Sequence, residues 1–317
     1  MLSAQFAAKR KPAMTESLLY ALSAHGKVVK FLMAICGWKG YGVNMKKICD
    51  SHVHSNNSFD AESSVREICE TAVKKGLDTV TITDHMEAPE IRFGDKSVFG
   101  NAVKSITKSV SDVEKNAPEF KGRLRLLKGM ELGEPMHIPE MTERAMAIAD
   151  FDFILASLHN LKEVEDFYYL EYNEGNVDNL LKRYFDELLD TAENADFDSL
   201  AHLTYPLRYI IERTDIRPDL SVYGEVIDNI FKALIKRNKA LEVNTSGLFK
   251  PINSTLPSAD LVKRFKQLGG KYVTIGSDAH NAKDLAQGIQ RGTELIKACG
   301  FEHYTVYVNR TPELIEI

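Results

Sequence analysis

The stretch Asp50-Ser51-His52-Val53-His54-Ser55 sets two imidazoles two residues apart. In an extended strand alternate side chains share a face, so His52 and His54 would point the same way, as two ligands of one metal ion must. Alone, an HxH pair is about as often ordinary surface or structural histidine. Here the pattern recurs, in Thr83-Asp84-His85, Gly129-Met130-Glu131, Ser157-Leu158-His159, Ala201-His202 and Gly276-Ser277-Asp278-Ala279-His280, with Asp60 following the first pair. Six of the nine histidines fall in these stretches, and the other three, His25, His137 and His303, read as structural or surface residues. Imidazole and carboxylate without thiolate suit Zn, Mn or Fe and do not choose among them. Six imidazoles with Asp60, Glu131 and Asp278 are too many for one ion, and two or three divalent ions sharing a bridging carboxylate fit better. Three such ions outweigh three carboxylates in charge, which favours a bridging hydroxide and an anionic substrate such as a phosphate dianion. Clustered metals of this kind make a hydroxide nucleophile and clamp the oxygens of an in-line displacement.

Positioning these groups requires that they sit at the ends of strands, and the chain reads that way. Strands are expected at 46–54, 78–84, 124–131, 152–158, 198–202, 240–244 and 271–277, with a last strand-like run at 305–308. Helices are expected between them at about 61–75, 97–116, 139–149, 177–194, 222–237, 258–268 and 282–299. The first helix carries Val65, Ile68, Cys69, Ala72 and Val73 at helical spacing, with Gly76 at its end. Strands alternating with helices imply parallel strands joined by helical crossovers. Seven such units predict an α/β fold, a closed or nearly closed β/α barrel, with an open doubly wound sheet as the alternative. The Rossmann glycine fingerprint and the P-loop sequence are absent, which disfavours a nucleotide-binding sheet. In a barrel the carboxyl ends of the strands converge on one mouth, where active sites of this architecture lie.

The chain has 317 residues, is 44% hydrophobic and 27% charged, and carries a net charge of -5. That is ordinary globular composition, of a size one α/β barrel reaches. No basic cluster exists beyond Lys9-Arg10-Lys11, so extended nucleic acid is not an expected partner. Four cysteines without CxxC spacing read as buried thiols of a cytoplasmic protein. No run of 18 apolar residues occurs, so no membrane span is expected. A small phosphorylated molecule is the expected partner, and a homo-oligomer is compatible with the sequence. Residues 1–44 do not fit the alternation. They read as a loosely ordered N-terminal extension, with Met45 as an alternative start and residues 45–317 as the catalytic barrel.

The ordered set DxHxHS, TDH, GxE, SxH, AH and GSDAH is similar to the polymerase-and-histidinol-phosphatase (PHP) family of phosphoesterases, over roughly Met45 to the last strand. Family membership implies a distorted seven-stranded β/α barrel with a trinuclear metal site. Carried over by motif, His52, His54, Glu131 and Asp278 are the ligands of one ion. Glu131, His159 and His202 hold a second, with Glu131 bridging, and Asp60, His85 and His280 hold a third. Asp60 departs from the family, many of whose members have histidine there. Within the family, Phe151–His159 and Leu241–Leu248 resemble the stand-alone histidinol phosphatases. The implied reaction is hydrolysis of L-histidinol phosphate to L-histidinol and phosphate in histidine biosynthesis, by attack of a metal-bridging hydroxide.

A phosphate monoester calls for a bidentate cation. Arg208, six residues after His202 and expected in a loop, matches an arginine common in the histidinol phosphatases, whereas Arg183 and Arg213 are weaker candidates. Asn244 is a further candidate for substrate contact, and Asp278 or His280 for protonating the leaving group. The acidic and aromatic loop 161–175, with Glu163, Glu165, Asp166, Phe167, Tyr168 and Tyr169, could attract an ammonium and an imidazole. Asp50 would orient a ligand histidine or cap a strand end, and Asp84, by alternation, points away from the mouth. Three rivals share some of these features: a phosphoesterase acting on nucleotides or another small ester, an amidohydrolase-type hydrolase, and a degenerate scaffold. The TDH at His85 and the DxH at Asp278/His280 argue against the second, and the full ligand set argues against the third.

Overall fold

A computed structural model describes residues 47–87 and 97–317. The expected extension, residues 1–44, lies outside the described residues, as does His25. From Cys49 the chain alternates. Strand β1 (Cys49–Val53) leads to helix α1 (Val65–Lys75), then β2 (Thr79–Ile82), β3 (His85–Glu87), α2 (Ser97–Phe120) and β4 (Arg125–Gly133). Helix α3 (Pro139–Met146), β5 (Phe153–Ser157), α4 (Val177–Asn194), β6 (Ser199–Leu200), α5 (Tyr205–Arg213) and α6 (Gly224–Lys236) follow. The chain closes with β7 (Ala240–Asn244), α7 (Ala259–Gln267), β8 (Val273–Gly276), α8 (Ile289–Ala298) and the pair β9 (His303–Val308) and β10 (Thr311–Glu316).

Around the sheet the order is β1, β2, β4, β5, β6, β7, β8, every neighbouring pair parallel. Thr79–Ile82 pairs with residues 125–128 of β4, and His85–Glu87 pairs with residues 131–133. Strands β2 and β3 are therefore two segments of one stave, interrupted at Thr83-Asp84, and the sheet has seven positions. Val53 bridges Ala279 in parallel, the Asp278 amide donates to the His52 carbonyl at 2.8 Å, and the His54 amide donates to the Ala279 carbonyl at 2.9 Å. The last stave thus returns to the first, and the fold is the nearly closed β/α barrel that the alternation predicts.

Alternation along each strand builds two apolar layers. On β5, Phe153 and Leu155 face the barrel interior with Ala201, Ala240 and Tyr307, while Ile154 and Ala156 join the larger core under the helices. The β9–β10 hairpin covers the amino end of the barrel. There Tyr307 stacks on Phe153 with ring centroids 5.4 Å apart, and the Arg310 guanidinium donates to Asp196 and Asp198.

Four elements differ from expectation. Helix α1 starts at Val65 because Ser64 caps it: the Glu67 amide donates to Ser64 Oγ and Glu67 accepts from the Ser64 amide, an arrangement contributing about 1 kcal/mol. Residues 205–213 form a helix where a loop was expected, with Pro206 in its first turn and Leu207 and Ile210 buried. Helix α8 starts at Ile289, not near 282, because Ala286 and Gly288 adopt positive φ and hold the chain in turns. The last strand is one arm of a hairpin whose turn residues, Asn309 and Arg310, both have positive φ, as a two-residue type I′ connection requires. Among the described residues no helix is long and apolar enough to cross a membrane.

Gly276, at the end of β8, is where the barrel admits no side chain. A Cβ there would lie 2.2 Å from the Cβ of His52 and 2.8 Å from Glu242 Oε1. Neither neighbour can retreat from a buried strand. Gly276→Ala is expected to destabilise the chain by about 1–3 kcal/mol, as overpacking does, and to displace His52. A lower denaturant midpoint together with weaker metal retention is the result to look for. An unchanged midpoint would show that β1 and β8 can separate freely.

Candidate metal centre

The strand ends converge as the barrel dictates. Strand β1 carries His52 and leads into His54, β3 opens with His85, β4 contributes Glu131, β5 leads into His159 and β6 into His202. The turn after β8 carries Asp278 and His280. Glu131 is almost wholly buried and its two oxygens divide the site. Oε2 lies 3.2 Å from His52 Nε2 and 3.3 Å from His54 Nε2, which are themselves 3.0 Å apart. Oε1 lies 3.2 Å from His159 Nε2 and 3.0 Å from His202 Nε2, a pair 3.3 Å apart. Asp278 Oδ1 completes the first group, 3.6 Å from His52 Nε2 and 3.5 Å from His54 Nε2. Asp278 itself sits at φ 57, a conformation that turns its carboxylate back over the mouth.

A third group stands nearer solvent. Asp60 Oδ2 is 3.1 Å from His280 Nε2 and 3.6 Å from His85 Nε2. The His54 ring stacks between them, 4.3 Å from each of the two imidazoles. All nine residues that the motifs single out as ligands therefore meet at one mouth.

These donors fit ions. Around an ion with bonds of about 2.0–2.1 Å to nitrogen, tetrahedral ligands stand roughly 3.3 Å apart, and the donor–donor distances above scatter about that value. The Nε2 atoms and carboxylate oxygens also face one another inside the barrel, away from water. Only protons or cations between them make that arrangement tolerable. Burial alone would raise the Glu131 carboxyl, but the imidazoles of His52, His159 and His85 outweigh it and hold it well below the ordinary range. Burial would likewise raise Asp278, and His52, His54 and Arg208 hold it well below. Burial, with His280 and His85 alongside, lowers His54 to about 3, so its imidazole is neutral and able to ligate.

Arg208 projects from α5. Its Nη2 donates to Ser246 Oγ and, at 3.0 Å, to Asp278 Oδ2, while its buried Nε has no partner. Burial works against the charge, but Asp278 more than compensates and raises the guanidinium. Arg208 lines a cavity of about 850 Å³ over the site, with Phe59, Asp60, Asp166, Tyr168 and Tyr169. Of the acidic loop, Asp166 lines this cavity, whereas Glu163 and Glu165 are exposed outside it. Asn244 is buried and does not line it: its amide donates to Asp278 Oδ2 and Glu242 Oε2 and accepts from Ser246. Arg183 donates to the Lys162 carbonyl at the surface, and Arg213 lies over the Tyr168 and Tyr209 rings.

Asp50 caps a strand end. It accepts from the Ser277 amide and hydroxyl and from the Ala286 amide, across the barrel's closure. Asp84 points away from the mouth and gathers Ser55, Ser58 and Ser109, fixing the loop after β1. His137 pairs with Glu187 away from the site. Sequence reasoning missed three carboxylates, Glu134 and Glu242 buried and Glu87 partly buried. Glu87 Oε1 lies 2.8 Å from His85 Nδ1 and 3.3 Å from His159 Nδ1. Glu134 accepts from the His159 amide at 2.6 Å. Glu242 lies 2.6 Å from His52 Nδ1. The available signal was a charged residue inside a strand otherwise read as buried, Ala240-Leu241-Glu242-Val243-Asn244, since lone buried carboxylates are rare.

Comparison with known proteins points to one family. The chain is 29% identical to a histidinol-phosphatase of Lactococcus lactis over 83% of this chain and 95% of that protein. It is 30% identical to a probable histidinol-phosphatase of Thermotoga maritima over 81% of this chain and 94% of that protein. The crystal structure of the Lactococcus lactis histidinol phosphate phosphatase, complexed with zinc, L-histidinol and phosphate, superposes with a TM-score of 0.71 at 28% identity, covering 84% of this chain and 99% of that one. Residues 50–246, from the HxH stretch through Glu131, His159 and His202, match the PHP domain, and the chain belongs to the PHP domain family.

Proposed function

We propose that the chain is a metal-dependent phosphomonoesterase that hydrolyses L-histidinol phosphate to L-histidinol and phosphate. The observation that carries this reading is one cavity with three matched parts. Its floor is a carboxylate shared between two imidazole pairs, its side holds the Arg208 guanidinium, and its rim is acidic and aromatic. The relatives named histidinol-phosphatase, and the one solved with zinc, L-histidinol and phosphate, support the same substrate.

In this reading two or three divalent ions are held by His52, His54, Glu131 and Asp278, by Glu131, His159 and His202, and by Asp60, His85 and His280. Bound there, such ions lower the pKa of water and offset the charge of phosphoryl oxygens. The chain's own groups do the rest. Arg208, which lines the cavity, holds the phosphoryl oxygens and offsets charge as the ester bond breaks. Asn244 and Ser246 act behind it, keeping Arg208 and Asp278 in register. Both Asp278 oxygens are engaged, so delivery of a proton to the leaving alkoxide falls to the His280 side of the mouth, beside Asp60. Asp166, with Tyr168 and Tyr169, receives the ammonium and imidazole of the substrate.

The test is phosphate release from L-histidinol phosphate against nucleotides and an aryl phosphate, using the full chain stripped by chelator and reconstituted separately with Mn, Zn and Fe. Metal-dependent preference for histidinol phosphate is expected. Turnover of nucleotides with histidinol phosphate ignored would keep the site and discard the substrate. The rim makes a separate prediction. Asp166→Asn is expected to raise KM for histidinol phosphate about 10-fold, the loss of one charge-assisted contact, while hydrolysis of an aryl phosphate, which carries no ammonium, changes little. Equal effects on both substrates would remove Asp166 from recognition.

A further inference from the structure

Glu242 stands in the interior of β7, almost fully buried, and touches no part of the cavity. Its Oε1 is 2.6 Å from His52 Nδ1. Its Oε2 accepts from the His202 amide at 2.8 Å and from Asn244 Nδ2 at 3.3 Å. One carboxylate therefore touches the ring of a histidine from the first group and the backbone of a histidine from the second. The absence of a Cβ at Gly276 is what leaves room for it beside His52.

A carboxylate only accepts hydrogen bonds. The short contact to Oε1 therefore holds a proton on Nδ1 and makes Nε2 the nitrogen at which an ion can take the place of a proton. Nε2 is the nitrogen that faces His54, Glu131 and Asp278. With the opposite tautomer Nε2 would carry a proton and could not ligate. We propose that Glu242 is a positioning residue that fixes the tautomer and ring orientation of His52 and so sets the strength with which the first ion group binds. This rests on the reading of His52 as an ion ligand and is independent of the substrate.

The amide variant turns this into a defined test. In Glu242→Gln only one side-chain oxygen remains. The His202 backbone N–H cannot relocate, so that oxygen stays with it, and the amide nitrogen is left to donate to His52 Nδ1. The imidazole then shifts its proton to Nε2. Zinc affinity is measured on the full chain by competition with a calibrated chelator, for wild type, Glu242→Gln, His52→Ala and the double variant, with thermal unfolding of each metal-free chain recorded alongside. The expected result is a loss of about 10–100-fold in zinc affinity for Glu242→Gln, with no further loss when the substitution is made in the His52→Ala background. Unchanged affinity would overturn the proposal. So would a loss of the same size in the His52→Ala background, which would mean that Glu242 acts through the fold or through His202. If Glu242→Gln does not fold, Glu242→Asp takes its place in the same cycle. It keeps the charge but withdraws the oxygen from Nδ1, and its loss must likewise vanish without His52. Failure of the substrate reading would show in phosphate release with zinc affinity intact, so the two failures are distinguishable.

Discussion

Glu131→Gln is expected to lower kcat by more than about 1,000-fold and to empty both inner ion groups at once. Each Glu131 oxygen faces its own imidazole pair, Oε2 with His52 and His54 and Oε1 with His159 and His202. An amide keeps the shape but turns one of these two acceptors into a donor pointed at ligating nitrogens, and it removes the charge they share. Losing a single preorganised electrostatic contact in an active site typically costs about 100–1,000-fold in rate, and here two groups share one side chain. Elemental analysis beside the kinetics separates the causes. Glu131→Gln should lose metal from both groups, whereas His202→Ala should lose it from the second alone. A Glu131→Gln chain retaining a tenth of wild-type turnover, or a full metal complement, would contradict the bridging arrangement.

Arg208→Lys is expected to reduce kcat/KM by about 100-fold despite conserving charge. The guanidinium presents five donors in a fixed fork. One arm is committed to Ser246 and Asp278, and the side chain lines the cavity. A lysine ammonium is a point charge on a flexible stem. It can sit against Asp278 or against a phosphoryl group, but it does not reproduce the fork. Arg208→Ala should cost more, because it also leaves the buried Asp278 carboxylate without its cation. Steady-state kinetics on L-histidinol phosphate decide the matter. A lysine variant within about threefold of wild type would reduce Arg208 from a bidentate phosphate clamp to a source of positive potential.

What the sequence shows well is what depends on local period and on strand ends. The alternation of β-branched runs with 3.6-residue apolar spacing gives the barrel. Because every stave is parallel, the residues at the strand ends had to meet, and His52, His85, Glu131, His159, His202 and His280 do. The failures have physical causes. Strand β3 is three residues long and follows β2 after a two-residue break, so no periodicity marks it, and Glu87 went unnoticed there. Helix α5 is short and opens with Tyr205-Pro206, a start that reads equally well as a loop. Arg208 is marked by its distance after His202 and by resemblance, while nothing local signals its helical setting. The roles of Glu134 and Glu242 depend on contacts with residues far away in the chain, and no local spacing encodes them. The acidic loop shows the opposite error: its composition marked three carboxylates, and the backbone brings only Asp166 to the cavity.

The barrel closes where Val53 meets Ala279 and where Asp50 holds Ser277, residues 227 positions apart in the chain. The same junction sets Asp278 and His280 against His52 and His54. Closing a loop of that length is among the slower steps a chain can take, since its entropy must be lost before any contact rewards it. The first ion group therefore draws on both extremes of the barrel, while Glu131, His159 and His202 are all in place some 75 residues earlier. The second group is thus complete in sequence by His202, while the first waits for Asp278. A chain ending before residue 276 lacks Asp278 and His280, and with them the last residues of the first and third groups. The final turn of the barrel therefore completes the ligand set that the earlier strands leave open.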